Sequence, residues 1–101
     1  MNVIETNIKE VKIIEPILFS DSRGYFFESF SDKEFKEKVC DTSFVQDNES
    51  YSTKGVLRGL HYQAKPYGQA KLVRCSKGRI YDVAVDIRPN SETFGQYDKV
   101  E

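Results

Sequence analysis

Short runs of β-forming and aromatic residues, broken by Gly, Asn, Asp and Ser, recur along most of the chain and predict a mostly antiparallel β protein. Ile8 to Ile14, apolar with a charged interruption, reads as an early strand. Asp21-Ser22-Arg23-Gly24 is a turn signal, and Tyr25 to Phe30 follows as an aromatic strand. At Ser31 the pattern changes. Ser31 can cap a helix, Glu34 stands at capping-box spacing, and Phe35 and Val39 lie four apart. These predict one short helix from Asp32 to about Val39 that buries a single narrow face. Strand patterns return at Phe44 to Asn48, Val56 to Gln63, Ala70 to Cys75, Arg79 to Ile87 and from Gln96 to the end. Ser76-Lys77-Gly78 predicts a tight hairpin turn, and Pro89-Asn90-Ser91 another turn. Several short strands at this spacing suggest a sandwich or barrel.

Strand periodicity sorts side chains onto two faces. In Arg79 to Ile87, Tyr81, Val83, Val85 and Ile87 form the predicted core face, and Ile80, Asp82, Ala84 and Asp86 a mixed one. Lys71 shares a face with Val73 and Cys75, so its ammonium either snorkels to water or sits in a polar cavity. His61 shares a face with Leu57, Gly59 and Gln63, with Arg58 opposite in a regular strand. A bulge at Gly59 would bring Arg58 and His61 to one side, and the sequence leaves both geometries open.

The chain of 101 residues fits a single domain, 1–101, and 15 Lys+Arg against 16 Asp+Glu leave no basic excess for nucleic acid or an anionic membrane. No apolar run reaches the length of a membrane span, and the N-terminus lacks a signal-peptide pattern. Cys40 and Cys75 form no CxxC, which suits a cytoplasmic protein with reduced thiols. One histidine excludes a multi-histidine metal cage built from this chain, so no metal is expected. Gln96 to Glu101 alternates and stops without a closing turn, the pattern of a strand belonging to a longer chain.

Five segments carry a family resemblance: Asp21-Ser-Arg-Gly-Tyr-Phe-Phe-Glu28, Phe44-Val-Gln-Asp-Asn48, Gly55-Val-Leu-Arg-Gly-Leu-His-Tyr-Gln63, Gln69-Ala-Lys-Leu-Val-Arg-Cys75 and Gly78-Arg-Ile-Tyr-Asp-Val-Ala-Val-Asp-Ile-Arg88. In order and spacing they resemble the dTDP-4-dehydrorhamnose 3,5-epimerases. The resemblance implies a cupin-type jelly-roll β-barrel or sandwich with one short helix, incomplete at the C-terminus because family members are considerably longer. It also implies a cofactor-free enzyme, a homodimer, and a dTDP-linked 4-keto-6-deoxy sugar as substrate.

Epimerisation beside a ketone removes a carbon-bound proton and returns one from the opposite face. It needs a base near neutral pH, a donor or cation at the developing enolate oxygen, and an acid on the far side. His61 matches the family's base, a role for which imidazole is suited by its ordinary pKa. Lys71 matches its lysine and would stabilise the enolate oxygen. Asp82 would support either of them, or serve as a structural acceptor. Arg23 and Arg58 match positions that hold the diphosphate or sugar, where guanidinium forks pair with oxygens. Gln46 and Asn48 match polar contacts to the nucleotide-sugar, and Phe26 and Glu28 an arm associated with the base. Arg74, Arg79 and Arg88 are read as surface or structural pairs. The proton donor and the carboxylate that orients the histidine have no counterpart in this chain. Two readings compete: a catalytically incomplete half barrel that only binds nucleotide-sugar or pairs with another chain, and a related epimerase acting at one carbon. A metal-dependent cupin oxygenase is disfavoured by the single histidine.

Overall fold

The computed structural model describes residues 1–101. Its regular structure is mostly strand with one short helix: β1 (Asn2–Glu5), β2 (Lys12–Glu15), β3 (Phe19–Asp21), β4 (Gly24–Phe26), α1 (Asp32–Lys38), β5 (Asp82–Val85) and β6 (Tyr97–Val100). Three antiparallel pairs form, β1 with β2, β3 with β4 and β5 with β6. No helix is long and apolar enough to cross a membrane. The chain divides into two compact units, one of Met1–Asp41 with Cys75–Glu101 and one of Thr42–Arg74.

The first unit contains every strand and the helix. Thr6 closes the β1–β2 turn by donating its hydroxyl to the carbonyls of Ile8 (2.9 Å) and Val11 (2.6 Å). That turn takes Ile8 and Val11 out of the strand predicted over Ile8 to Ile14, which begins only at Lys12. Ile8 is buried instead, and its N–H donates to the Asp98 carboxylate on β6 at 3.0 Å. Helix α1 forms where the sequence places it. The Ser31 hydroxyl accepts from the Glu34 N–H at 3.3 Å, Asp32 pairs with Lys36 and Glu34 with Lys38 one turn on, and Phe35 is buried. Lys38 beside it is the main reason that the Glu34 carboxyl is pulled down to about 2.

The β5–β6 ladder carries a correction. Tyr81, Val83, Val85 and Ile87, the predicted core face, are 65%, 41%, 37% and 49% exposed, whereas Asp82 and Ala84 are half-buried and Asp86 is buried. Alternation along the strand is as predicted, but the polar face is the shielded one. Asp86 has the partners that make this possible. Its carboxylate accepts from the Arg88 N–H (3.0 Å) and guanidinium (2.9 Å), and from the hydroxyls of Ser91 and Thr93 (2.6 Å each). A buried carboxylate is tolerated when its oxygens are satisfied in this way. The predicted turn at Pro89-Asn90-Ser91 forms around it.

The second unit departs further from the pattern. Phe44 to Asn48, Val56 to Gln63 and Ala70 to Cys75 form no ladder, and just past this unit, in the first one, Ser76-Lys77-Gly78 is a bend without paired flanks. A strand is stable only when its backbone groups find a neighbour. Between Thr42 and Arg74 two turns carry backbone bonds, Val56 N–H to the Thr53 carbonyl (3.3 Å) and Tyr67 N–H to the Ala64 carbonyl (2.9 Å). The aromatic strand predicted over Tyr25 to Phe30 also ends early, at Phe26, where its partner Phe19 begins β3.

Candidate active site

The candidate residues fall into both units, and each unit presents its own set. In the first, Arg23 sits at the tip of the β3–β4 hairpin. Asp21 holds it there, accepting the Arg23 N–H at 2.8 Å, Nε at 3.2 Å and Nη2 at 2.6 Å. The pair raises the guanidinium pKa and lowers that of the Asp21 carboxyl, so both stay charged. Gly24 makes the turn with φ +133, a conformation favoured by glycine. Phe26 closes the other end of the hairpin, and with Arg23 it lines an open depression that also takes in Phe19 and Tyr25. Arg23 and Phe26 thus lie on the same hairpin. Glu28 follows on the exposed stretch after β4. Asp82 begins β5 opposite Val100 and is half-buried.

In the second unit, Gln46 donates its amide to the Asn48 side-chain oxygen at 3.4 Å, so these two polar candidates are neighbours. Arg58 is held twice. Its Nε donates to the Ser52 hydroxyl at 2.8 Å and its Nη2 to the Tyr51 carbonyl at 2.7 Å. His61 lies exposed three residues on. Gly59 adopts φ +126 without forming a bulge in any ladder, and a Cβ built there would stand 3.7 Å from His61 Nδ1. Position 59, two residues before the histidine, thus favours glycine for its backbone conformation, with the imidazole close against it. Lys71 is also exposed, with no ladder around it. No three His, Cys, Asp or Glu side chains are arranged to hold a metal ion.

The sequence pattern missed three contributors to how the arginines are held. Ser52 and the Tyr51 carbonyl have no periodic signal, because their role arises from a chain reversal between residues 51 and 58. Asp86 did have one. Asp-X-Arg occurs at Asp21–Arg23 and again at Asp86–Arg88, and in both the arginine N–H and guanidinium reach back to the carboxylate. The reading of Arg79 and Arg88 as structural pairs holds: Arg79 pairs with Glu101, and Arg88 with both Asp86 and Glu10.

Residues 5–101 match a protein family described as dTDP-4-dehydrorhamnose 3,5-epimerase. A curated relative of that name from Shigella flexneri is 61% identical over 98 residues, covering 96% of this chain and 54% of the relative. A crystal structure of dTDP-6-deoxy-D-glucose-3,5-epimerase from Legionella pneumophila in complex with dTDP-4-keto-L-rhamnose superposes with a TM-score of 0.92 at 54% identity, over 98% of this chain and 53% of that one. The Bacillus anthracis dTDP-4-dehydrorhamnose 3,5-epimerase, with TDP and PPi bound, gives a TM-score of 0.93 at 48% identity, over 98% and 57%. The chain spans about half the length of the curated relatives it matches.

Proposed function

The chain belongs to the dTDP-4-dehydrorhamnose 3,5-epimerase family, and from that premise we propose that it supplies the base side of an epimerase acting on dTDP-4-dehydro-6-deoxy-D-glucose at C3 and C5. The observation that carries this reading is the match over residues 5–101 at high identity, with a similar enzyme holding dTDP-4-keto-L-rhamnose. In the proposed reaction His61 takes the proton from the carbon next to the 4-keto group. Lys71 stabilises the enolate oxygen, and Asp82 supports one of these two groups. Exposure of His61 and Lys71 leaves both able to meet a ligand. Arg23 and Arg58 hold the diphosphate, while Gln46 and Asn48 contact the nucleotide-sugar. Phe26 and Glu28 belong to an arm near the base. The chemistry as written needs no cofactor.

The fold proposed for the whole is a cupin-type jelly roll, of which residues 1–101 form one domain, the N-terminal part. The strand-like stretch Val56 to Gln63, which forms no ladder within this chain, supports this, because a further strand could pair with it. A homodimer is proposed on the exposed Phe19, Tyr25 and Phe26 of the β3–β4 hairpin, an apolar arm suited to a second copy. Cys40 and Cys75 form no disulfide, in keeping with a cytoplasmic site of action.

The test is to incubate the keto sugar with the protein in deuterated water and locate the label. Label at both C3 and C5 is expected. Label at one carbon would assign the protein to the single-carbon epimerases, and label at neither would refute the reading. A second reading is a half barrel that binds nucleotide-sugar without turning it over. Turnover by the 101-residue chain itself would refute that alternative.

A further inference from the structure

A guanidinium offers two flat edges to an anion, the side edge of Nε and Nη2 and the end edge of Nη1 and Nη2. In Arg58 the side edge is already used, with Nε on the Ser52 hydroxyl (2.8 Å) and Nη2 on the Tyr51 carbonyl (2.7 Å). Two of its five N–H groups are thereby spent within the chain. Both hydrogens of Nη1 and the second of Nη2 remain, and these form the end edge. Arg58 is otherwise exposed, so without those two contacts its long side chain would sample many rotamers.

We propose that Ser52, together with the Tyr51 carbonyl, is a positioning residue that fixes Arg58 so that its end edge meets the diphosphate of a nucleoside diphosphate ligand. The inference rests on the reading of Arg58 as a diphosphate contact and adds to it a residue to which no role was assigned. Ser52 acts through Arg58 by accepting a hydrogen bond from its Nε–H. Holding the fork in advance removes ordering cost from the binding step and leaves the catalytic groups unaffected.

The test uses the 101-residue chain, labelled with 15N, and dTDP as ligand. In the parent chain the Arg58 Nε–H should exchange slowly with water, and Ser52→Ala should speed that exchange. The same substitution should weaken dTDP binding about tenfold. Ser52→Thr keeps the oxygen and should bring both readouts back to within about twofold of the parent. On an Arg58→Ala background Ser52→Ala should add nothing, because the group it positions is gone. Unchanged dTDP affinity in Ser52→Ala would overturn the proposal. So would losses that add in the double variant, or a parent chain that binds neither dTDP nor pyrophosphate. A chain that binds dTDP in a Ser52-dependent manner yet moves no label into C3 or C5 would sink the epimerase reading and leave this inference standing.

Discussion

The two Asp-X-Arg turns share a local geometry and differ in everything around it. At Asp21–Arg23 the carboxylate takes the arginine N–H, Nε and Nη2, the side chains are 50% and 88% exposed, and Nη1 faces outward unengaged. At Asp86–Arg88 the same three contacts form, but the Asp86 side chain is 1% exposed. Ser91 and Thr93 complete its shell, and Glu10 takes Arg88 Nη1 at 2.9 Å. The first turn holds an arginine ready; the second consumes one. Arg58 resembles the first, since its side edge is tied down and its end edge is free. Among these three arginines, Arg23 and Arg58 keep Nη1 free of a partner, whereas Arg88 has given it to Glu10.

That contrast can be broken most severely at the buried turn. Asp86→Ala removes the acceptor for one guanidinium, two hydroxyls and a backbone N–H at once. It should lower the thermal midpoint by roughly 10 °C or more and erase the β5–β6 cross-strand signals, whereas Asp21→Ala should leave both nearly unchanged. Equal shifts from the two substitutions would show that burial does not separate them.

The next largest effect concerns binding. Arg23→Ala should weaken dTDP about tenfold while keeping the fold, because the side chain is exposed and pairs only with Asp21. Arg88→Ala should instead lose the β5–β6 ladder before any binding defect can be measured. Titration calorimetry beside a thermal melt distinguishes the two.

Acid offers a graded version. Folded Asp86 and Asp21 both titrate below their ordinary range, chiefly because of hydrogen bonds from Arg88 and Arg23. A carboxyl lowered on folding contributes stability that is present above its unfolded value and lost as pH falls toward the folded one. For Glu34 that interval runs from 4.5 down to about 2. The thermal midpoint should therefore be flat above about pH 5 and fall as acid is added below it. Asp86→Asn should flatten most of that slope and Asp21→Asn little, as read from melts across pH.

The smallest expected effect lies at the helix cap. Ser31→Ala leaves the Glu34 N–H without its hydroxyl acceptor and should cost about 1 kcal/mol, measurable by denaturant titration.

Local chemistry was legible in the sequence where it was self-contained. Ser31 with Glu34 marked the helix start, Asp21 to Gly24 the hairpin tip, and the alternation in Arg79 to Ile87 the strand β5. What could not be read was which alternating face would be shielded. Tyr81 and Val83 look like core by composition, yet the face of Asp86 is covered because Arg88, Ser91 and Thr93 fold back over it. Nor does a run such as Val56 to Gln63 reveal whether a neighbouring strand exists to pair with it, since a ladder is a property of two segments. The candidate site was legible as residue types in family order. The hold of Ser52 on Arg58 was not, because it depends on a reversal between them.

Proton abstraction by His61, as proposed, is tested most directly by one measurement. The chain and its His61→Asn variant are incubated with the dTDP-linked 4-keto sugar in deuterated water, with dTDP binding confirmed for both. Label is expected to enter C3 and C5 with the parent, and at a rate lower by about 10²–10⁴ in the variant at unchanged dTDP affinity. Label entering equally fast with His61→Asn would contradict it.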